Sequence, residues 1–366
     1  MGAIEKKVDI IFTGLIRNPE LIKKSITDFV NLRKKGLINQ IIFSTWDYEI
    51  DKIPEMRAFF KKNRILLIES REPAERGRGN INCQMKSLEN ALEKVDKNRF
   101  ILKTRADIYI DPKFLERIFQ DKKNIFKIKK NLPNGNVFRY KIWLPYYELT
   151  KPFYLADEAY FAFYFDHKLL INYEAYHGKY KLQAGTVHMQ RWIEPFLSKY
   201  PILRDYLENH PSVGYPKENL FYKGIKRIAK KNRLTFQLLN SITVKNRFRV
   251  LKKRLKEERY INVLAVYYSI LHSHFYINGE PINNSQNKNG LYRKTLSSLG
   301  IKINDTNLSN NFSKRNVTSH RQGQIIVFDE DFLKIIFSDK ADKNDLFTRR
   351  LLNSINQFNT SSNFLE

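Results

Sequence analysis

The sequence predicts an α/β fold whose first half is built on a parallel sheet. Four short apolar runs occur within residues 8–111, each of a length typical of a buried strand. Helical patterns separate these runs, and the alternation is typical of βαβ units. Each run also ends in polar residues. Because the carboxyl ends of parallel strands share one edge of a sheet, we expect these polar residues to converge on a single crevice.

The first two strands are each followed by a helical pattern. The first strand is predicted at Val8 to Phe12, and a glycine-containing turn leads from it into a helix over residues 20–32. Gly36 follows that helix as a stop signal. The second strand contains residues 41–43, and a charged helix over residues 54–62 comes after it. These segments form the first strand–helix repeats of the predicted sheet.

The next helix has the clearest amphipathic pattern. A third strand is predicted at residues 65–68, and a loop joins it to a helix over residues 81–95. Apolar residues in that helix recur at spacings of four, three, four and three, so they form one buried stripe. The fourth strand, residues 100–102, turns abruptly polar at Lys103.

The polar residues at the strand ends have a consistent chemistry. Arg17, Lys103 and Arg105 would neutralise a phosphate or pyrophosphate. Asp107 would hold a divalent cation, Mg²⁺ or Mn²⁺, or would only orient Arg105. Trp46 would stack on a base or pack in the core. No P-loop is present and no G-x-G-x-x-G motif follows the first strand, so a Rossmann dinucleotide site is not expected.

The middle of the chain supplies candidate acid–base residues. Residues 120–235 are rich in aromatics, which are expected to form core and the walls of an acceptor cleft. Asp157 and Glu158 precede an apolar run, where a carboxylate could deprotonate a hydroxyl group, or could instead cap a helix or lie in solvent. His188 and Glu194 flank Trp192, and a histidine beside apolar residues is more often a core residue than a ligand.

Charge and cysteine content limit the function classes. Lys and Arg outnumber Asp and Glu by 65 to 38, a net charge of +27, which favours nucleic acid, anionic membranes or phosphorylated substrates as partners. Residues 223–366 are predicted to be a basic, mainly helical region that follows a catalytic domain at 1–222. Within it, residues 224–260 predict amphipathic helices suited to an anionic membrane surface, or a solvated helix face. The lone cysteine, Cys83, suits a reducing compartment. The sequence contains no stretch of 18 apolar residues, so no membrane-spanning helix is predicted. We expect a cytoplasmic protein.

Several segments carry a family resemblance. They are IIFSTWD at 41–47, REP at 71–73, INCQ at 81–84 with Lys86 after it, LKTRAD at 102–107 and LADEAYF at 155–161. In order and spacing the chain resembles the WavE family of lipopolysaccharide-core and capsule glycosyltransferases, over residues 8–200. The resemblance implies a GT-A-like, Rossmann-type domain that binds a nucleotide sugar at the strand ends. It also implies that Arg105 and Asp107 stand where metal-dependent relatives carry a DxD motif, with Arg105 in place of the first acid.

The polar strand ends and the resemblance together give a set of candidate site residues. The nucleotide-sugar donor would contact the polar edge formed by Thr13, Arg17, Trp46, Asn82, Gln84, Lys103, Arg105 and Asp107. Asp107 would be the residue for a divalent cation, if one is bound. Asp157, or alternatively Glu194, would deprotonate the acceptor hydroxyl if the reaction inverts.

The expected function is therefore sugar transfer to a growing bacterial surface glycan. The acceptor would be a glycan or lipid-linked glycan, and the protein would be peripheral on the inner face of the bacterial inner membrane. One alternative is a sulfo- or phosphotransferase that acts on the same glycans. Another is a basic nucleic-acid-binding protein. The cations are spread along the chain and no helix-turn-helix, RNP or zinc-finger signature is present, so no nucleic-acid partner is expected.

Overall fold

The structure is a computed structural model that describes residues 7–113, 115–116, 137–148, 152–171, 184–209, 258–277, 317–319, 325–327 and 353–354. Ten strands occur in these ranges. They are β1 (Val8–Thr13), β2 (Ile38–Trp46), β3 (Leu66–Ser70), β4 (Phe100–Arg105), β5 (Ile142–Leu144), β6 (Tyr147–Glu148), β7 (Ala159–Phe163), β8 (Phe275–Ile277), β9 (Val317–Ser319) and β10 (Ile325–Val327).

Seven of these strands form one mixed sheet in the order β3-β2-β1-β4-β7-β5-β8. The first four strands are parallel to one another. β7 is antiparallel to β4, β5 is antiparallel to β7, and β8 is parallel to β5. β6, β10 and β9 form a small antiparallel sheet. The predicted α/β class with a mostly parallel sheet is confirmed.

Helices flank the large sheet. The helices of the described ranges are α1 (Pro19–Lys34), α2 (Pro54–Lys62), α3 (Ile81–Leu92), α4 (Tyr164–Ile171), α5 (Ala184–Ile193), α6 (Pro201–Asn209) and α7 (Glu258–His274). α1 begins where the Asn18 side chain accepts a hydrogen bond from the Leu21 N–H at 3.1 Å and Pro19 occupies the first turn. None of these helices is long and apolar enough to cross a membrane.

Two elements differ in length from the sequence prediction. β2 begins three residues before Ile41 and continues through Trp46, because Ser44 and Thr45 are buried and pair in the ladder with β3. α3 ends at Leu92. After it, the N–H groups of Lys94 and Val95 donate to carbonyls three residues earlier, and Val95 remains buried.

Two apolar layers cover the two faces of the sheet. Ile10 and Phe12 of β1 face one layer with α1 and α2, where Phe12 contacts Phe29 at 5.9 Å between ring centroids. Ile11 faces the other layer, which includes Leu88 of α3. The β1–β2 and β2–β3 crossovers thus lie on one face, and the β3–β4 crossover lies on the other. The strand order therefore reverses between β1 and β4, which makes their carboxyl ends a topological switch point.

The C-terminal half contributes to the same sheet. β8 pairs with β5 from Ile142↔Phe275 to Leu144↔Ile277, and α7 leads directly into it. The predicted boundary at residue 222 therefore lies between two strands that pair in this sheet, β5 before it and β8 after it. Residues 224–257, which include most of the predicted basic helices, lie outside the described residues.

Candidate functional site

The switch point brings together the loops that leave β1 and β4. Thr13 and Arg105, the last residues of these strands, are register partners, and the Ala106 N–H donates to the Thr13 carbonyl at 3.0 Å. Beyond this bond the two loops diverge. Arg17 from the first loop and Asp107 from the second meet across the gap, with Nη1 3.3 Å from Oδ2. Sequence reasoning predicted this convergence from strand ends alone.

Asp107 is held mainly by Arg105. The Arg105 Nε donates to Oδ1 at 2.8 Å and its Nη2 donates to Oδ2 at 2.7 Å, which is a bidentate pair. Burial opposes ionisation of Asp107, but the hydrogen bonds and charge of Arg105 outweigh it and lower the pKa of the carboxyl. The same hydrogen bonds raise the pKa of Arg105. Arg17 is more accessible, with 63% of its side chain exposed against 31% for Arg105.

Asp107, which was predicted to hold a divalent cation, instead contacts two arginine side chains. Both carboxylate oxygens already accept hydrogen bonds from guanidinium groups. Within the part of the chain that the structure describes, no group of three or more His, Cys, Asp or Glu residues is placed to hold a metal. The geometry fits the alternative prediction, in which Asp107 orients Arg105, and does not fit a divalent cation at the same position.

Lys103 is buried and its ammonium group contacts other protein groups. Its side chain is buried, and its ammonium group donates to the backbone carbonyl of Asp157 at 2.6 Å and lies 5.5 Å from the centre of the Tyr160 ring. Burial, with a contribution from the charge of Arg191, lowers the pKa of Lys103 to about 7. The structure thus gives Lys103 a backbone-holding contact where the sequence predicted a phosphate contact.

The segment before β7 brings two carboxyl groups to the same edge. The Arg105 N–H donates to the Glu158 carbonyl at 2.9 Å, and Thr104 pairs with Ala159 at the start of β7. The Tyr146 hydroxyl donates to Glu158 Oε2 at 2.5 Å. Burial, followed by the nearby charge of Asp157, raises the pKa of Glu158 to about 7.

Glu158 is the site residue that sequence reasoning passed over. It stands beside Asp157 in LADE and was visible there as one of two carboxylates, but only Asp157 was assigned a role. What distinguishes Glu158 is its bond to Tyr146, which belongs to the loop between β5 and β6. That contact arises from the fold and leaves no local pattern in the sequence.

Four other predicted donor residues have structural contacts. Thr13 is buried, and its hydroxyl donates to the Thr104 carbonyl at 3.3 Å. Trp46 is only 7% exposed, which favours packing over base stacking. The Asn82 side-chain amide donates to the Glu75 carbonyl at 3.1 Å. The Gln84 Nε2 donates to the Gly79 carbonyl, in the turn before α3, at 3.5 Å. Each of these residues therefore has a contact or a packing role within the protein.

One face of α3 forms a separate cleft of about 330 Å³. Its lining residues come from α3, from the loop after β3 and from the end of α4, and they are Arg71, Pro73, Asn82, Met85, Lys86, Glu89 and Ile171. The cleft therefore contains Arg71 and Pro73 of the REP segment together with Asn82, which was predicted to contact the donor.

Glu194, the second predicted base, follows α5. It accepts a hydrogen bond from Gln190 at 3.2 Å, one turn earlier. Among the described residues, no hydrogen bond or ion pair connects it to the cluster around Arg105. Asp157, in contrast, lies close enough to Arg105 and Glu158 for their charges to interact.

No protein-family model matches the sequence, and no curated protein matches it. The class of site is therefore defined by geometry: a switch point of an α/β sheet that presents two guanidinium groups and an oriented carboxylate, with two further carboxyl groups beside them. Such an arrangement can bind a phosphorylated ligand and move a proton near it.

Proposed function

We propose that the protein is a glycosyltransferase that transfers a sugar from a nucleotide-sugar donor to a bacterial surface glycan. The observation that carries this proposal is the Arg17–Asp107–Arg105 cluster, which spans the crevice between β1 and β4. Ligands of open α/β sheets bind at this kind of position. The diphosphate of a nucleotide is an anion that two neighbouring guanidinium groups can bind.

The cluster suits the departure of a diphosphate. When the bond from the sugar to the diphosphate breaks, negative charge builds on the phosphate oxygens, and preorganised donors stabilise that charge. Arg105 is fixed by two hydrogen bonds, whereas Arg17 is mostly exposed and is joined to Asp107 by one longer contact. Arg17 is therefore free to turn from Asp107 to a phosphate while Arg105 keeps its position.

The carboxyl groups before β7 suit activation of the acceptor. An inverting transfer needs a base that takes the proton of the attacking hydroxyl, and Asp157 and Glu158 are held at the edge by backbone bonds to Lys103 and Arg105. The cations and the carboxyl groups belong to strands that are neighbours in the sheet, β4 and β7.

The finer assignment to a GT-A-like, WavE-type enzyme is part of the same proposal. Its support is the sequence resemblance over residues 8–200 and the strand order 3-2-1-4, which nucleotide-binding α/β sheets share. The acceptor is then a lipopolysaccharide or capsule glycan at the inner membrane, and the net charge of +27 suits an anionic surface. If the protein were instead a sulfotransferase, it would also need cations that bind phosphate, so the arginine cluster is compatible with that alternative.

A thermal-shift screen against UDP, GDP, CMP and adenosine 3′,5′-bisphosphate tests the proposal. A nucleotide that binds only the folded state at one hundred times its Kd adds about 2.7 kcal/mol of stability. We expect one nucleoside diphosphate to raise the Tm, and Arg105→Ala to abolish the shift. Arg57→Ala is the matched control, because Arg57 forms a bidentate pair with Glu69 elsewhere in the protein.

Two other outcomes would favour the alternative functions. A shift with adenosine 3′,5′-bisphosphate alone would replace the glycosyltransferase by a sulfotransferase. Tight, steeply salt-dependent binding of DNA or RNA without any nucleotide shift would favour the nucleic-acid alternative.

A further inference from the structure

We propose that Glu158, held in place by Tyr146, is the group that takes the proton from the acceptor hydroxyl. This inference rests on the proposed glycosyltransferase function and moves the role of base from Asp157 to its neighbour. The observation that supports this proposal is the partly buried 2.5 Å hydrogen bond from the Tyr146 hydroxyl to Glu158 Oε2 at the edge of the crevice.

The position of Glu158 is fixed from two sides. Its backbone carbonyl accepts from the Arg105 N–H at 2.9 Å, which ties it to the residue that orients Asp107. Its side chain is fixed through Oε2 by Tyr146, so an acceptor hydroxyl would meet Oε1. A base must lie within hydrogen-bond reach of the proton that it takes, and this double attachment sets the carboxyl group next to the proposed diphosphate site.

The surroundings of Glu158 raise the proton affinity of its carboxyl group. The titratable and charged groups that act on it are Tyr146, Asp157, Arg105 and Lys103. Burial and the negative charge of Asp157 raise its pKa to about 7, whereas the hydrogen bond from Tyr146 and the charge of Arg105 act in the opposite direction. A base with a pKa near the working pH combines a useful fraction of the ionised form with a strong pull on the proton.

The step balances without a further reactant. The acceptor O–H bond breaks and its proton goes to Glu158, while the acceptor oxygen forms a bond to the anomeric carbon. The bond from that carbon to the diphosphate breaks, and its electron pair leaves with the diphosphate, which Arg17 and Arg105 neutralise. Glu158 then releases the proton to water.

The experiment combines the kinetics of sugar transfer with an infrared titration of the free protein, which needs no substrate. Sugar transfer from UDP-, GDP- and CMP-sugars to a lipopolysaccharide-core extract would be followed by nucleotide release. For Glu158→Gln we expect transfer to fall by about 100-fold or more, while the thermal shift with the nucleoside diphosphate is kept. For Glu158→Asp, which retains a carboxyl group but withdraws it from Tyr146, we expect a smaller loss. Infrared titration should show a protonated carboxyl band of the free protein that disappears near pH 7 and is missing in Glu158→Gln.

Tyr146→Phe tests the positioning role of the phenol. The Tyr146 hydrogen bond favours the ionised carboxyl, so its removal should move the inflection of kcat/KM to higher pH and lower transfer by roughly tenfold. Asp166→Asn is the matched control, because Asp166 is a buried carboxyl whose pKa is also raised to about 7 but which binds the backbone of Arg139 and Tyr140. It should remove a different infrared band and leave transfer unchanged.

The possible failures are distinguishable. If a nucleoside diphosphate binds and sugar is transferred, but Glu158→Gln transfers normally while Asp157→Asn does not, Glu158 is not the base and the glycosyltransferase proposal survives. If no nucleotide binds and no sugar is transferred by the unaltered protein, the proposed function itself is wrong. An infrared band that is unchanged in Glu158→Gln would overturn the protonation state assigned to Glu158.

Discussion

Arg105 and Asp107 form a bidentate ion pair between residues that are two positions apart at the end of β4, with donor–acceptor distances of 2.8 and 2.7 Å. Both residues are partly shielded from water, with 31% and 21% of their side chains exposed. The pair therefore holds a planar group of donors at a constant place in the crevice. Such a group can stabilise developing phosphate charge without rearrangement during the reaction.

Substitution of either partner should reduce transfer. Arg105→Ala removes the donors, and Asp107→Asn leaves them without a fixed direction, so we expect each to lower kcat by about 100-fold, as for the loss of an oxyanion donor. Arg105→Lys should be almost as damaging because an ammonium group cannot form the bidentate pair. Nucleotide release in a transfer assay measures the effect, with Arg57→Ala as the control. Full activity in both Arg105→Ala and Asp107→Asn would remove the site assignment.

Acid should destabilise the protein through His167. The ring is fully buried and its Nε2–H donates to the Ile101 carbonyl at 3.0 Å, and burial lowers its pKa to about 4 from a usual 6.5. Between these values the unfolded chain binds a proton that the folded protein does not, so stability is lost as the pH falls. The difference corresponds to about 3 kcal/mol at pH 4.

Urea unfolding of the wild type and His167→Gln at pH 7 and pH 4.5 checks this prediction. The wild type should lose more stability on acidification than the variant does. Glu158 and Asp166 have raised pKa values and act with the opposite sign, but they are common to both proteins. An equal loss in the two proteins would show that His167 is not the responsible group.

The antiparallel contact of β4 with β7 should depend on aromatic packing. Phe161 is fully buried and stacks on Phe100 with ring centroids 5.4 Å apart and an angle of 10° between the rings. Phe161→Ala should lower the free energy of unfolding by about 3–5 kcal/mol. Leu169→Ala is the control, since Leu169 is 40% exposed and its loss should change stability by less than about 0.5 kcal/mol. Similar denaturation midpoints for the two variants would contradict this packing.

Gly77 should not tolerate a side chain. Its φ is +65°, and a Cβ would lie 2.9 Å from the Cγ of Asn82, whose amide donates to the Glu75 carbonyl. Gly77→Ala therefore combines backbone strain with displacement of Asn82, and we expect a loss of about 1–3 kcal/mol. Gly36→Ala separates the two effects, because Gly36 has a φ of +79° but nothing within 4 Å. Thermal unfolding should show the larger loss for Gly77→Ala, and the reverse order would exclude the predicted clash.

The basic segment at residues 224–260 should bind anionic membranes. We expect the full chain to cosediment with vesicles of phosphatidylglycerol and phosphatidylcholine, but not with phosphatidylcholine alone. Deletion of the segment should abolish this binding, and salt should weaken it. Binding that survives the deletion would place the membrane contact elsewhere in the chain.

The sequence predicted the parallel half of the sheet well because its strands and helices follow one another locally. Apolar spacing identified β1 to β4 and α1 to α3, and the polar strand ends identified Arg17, Arg105 and Asp107 as neighbours. What it could not predict depends on pairing between distant segments. β7 enters antiparallel beside β4, and β8 arrives from residue 275.

Lys103 shows the consequence of such distant pairing for the site. Its position directly after an apolar run resembled that of a ligand-binding cation at a strand end. β7 places Tyr160 opposite Lys103, and the segment before β7 presents the Asp157 carbonyl to which the buried ammonium group donates. The same pairing brings Glu158 to Arg105, so the acid–base part of the candidate site becomes visible only in three dimensions.

The insertion of β7 next to β4 also determines how the chain can be divided. A truncated product that stops before residue 159 contains the whole parallel half but leaves the peptide groups along one side of β4 without their partners from β7. Such an open strand side is a template for pairing with other copies. Attempts to produce the parallel half alone should therefore yield aggregates, and a workable expression boundary has to include residue 163.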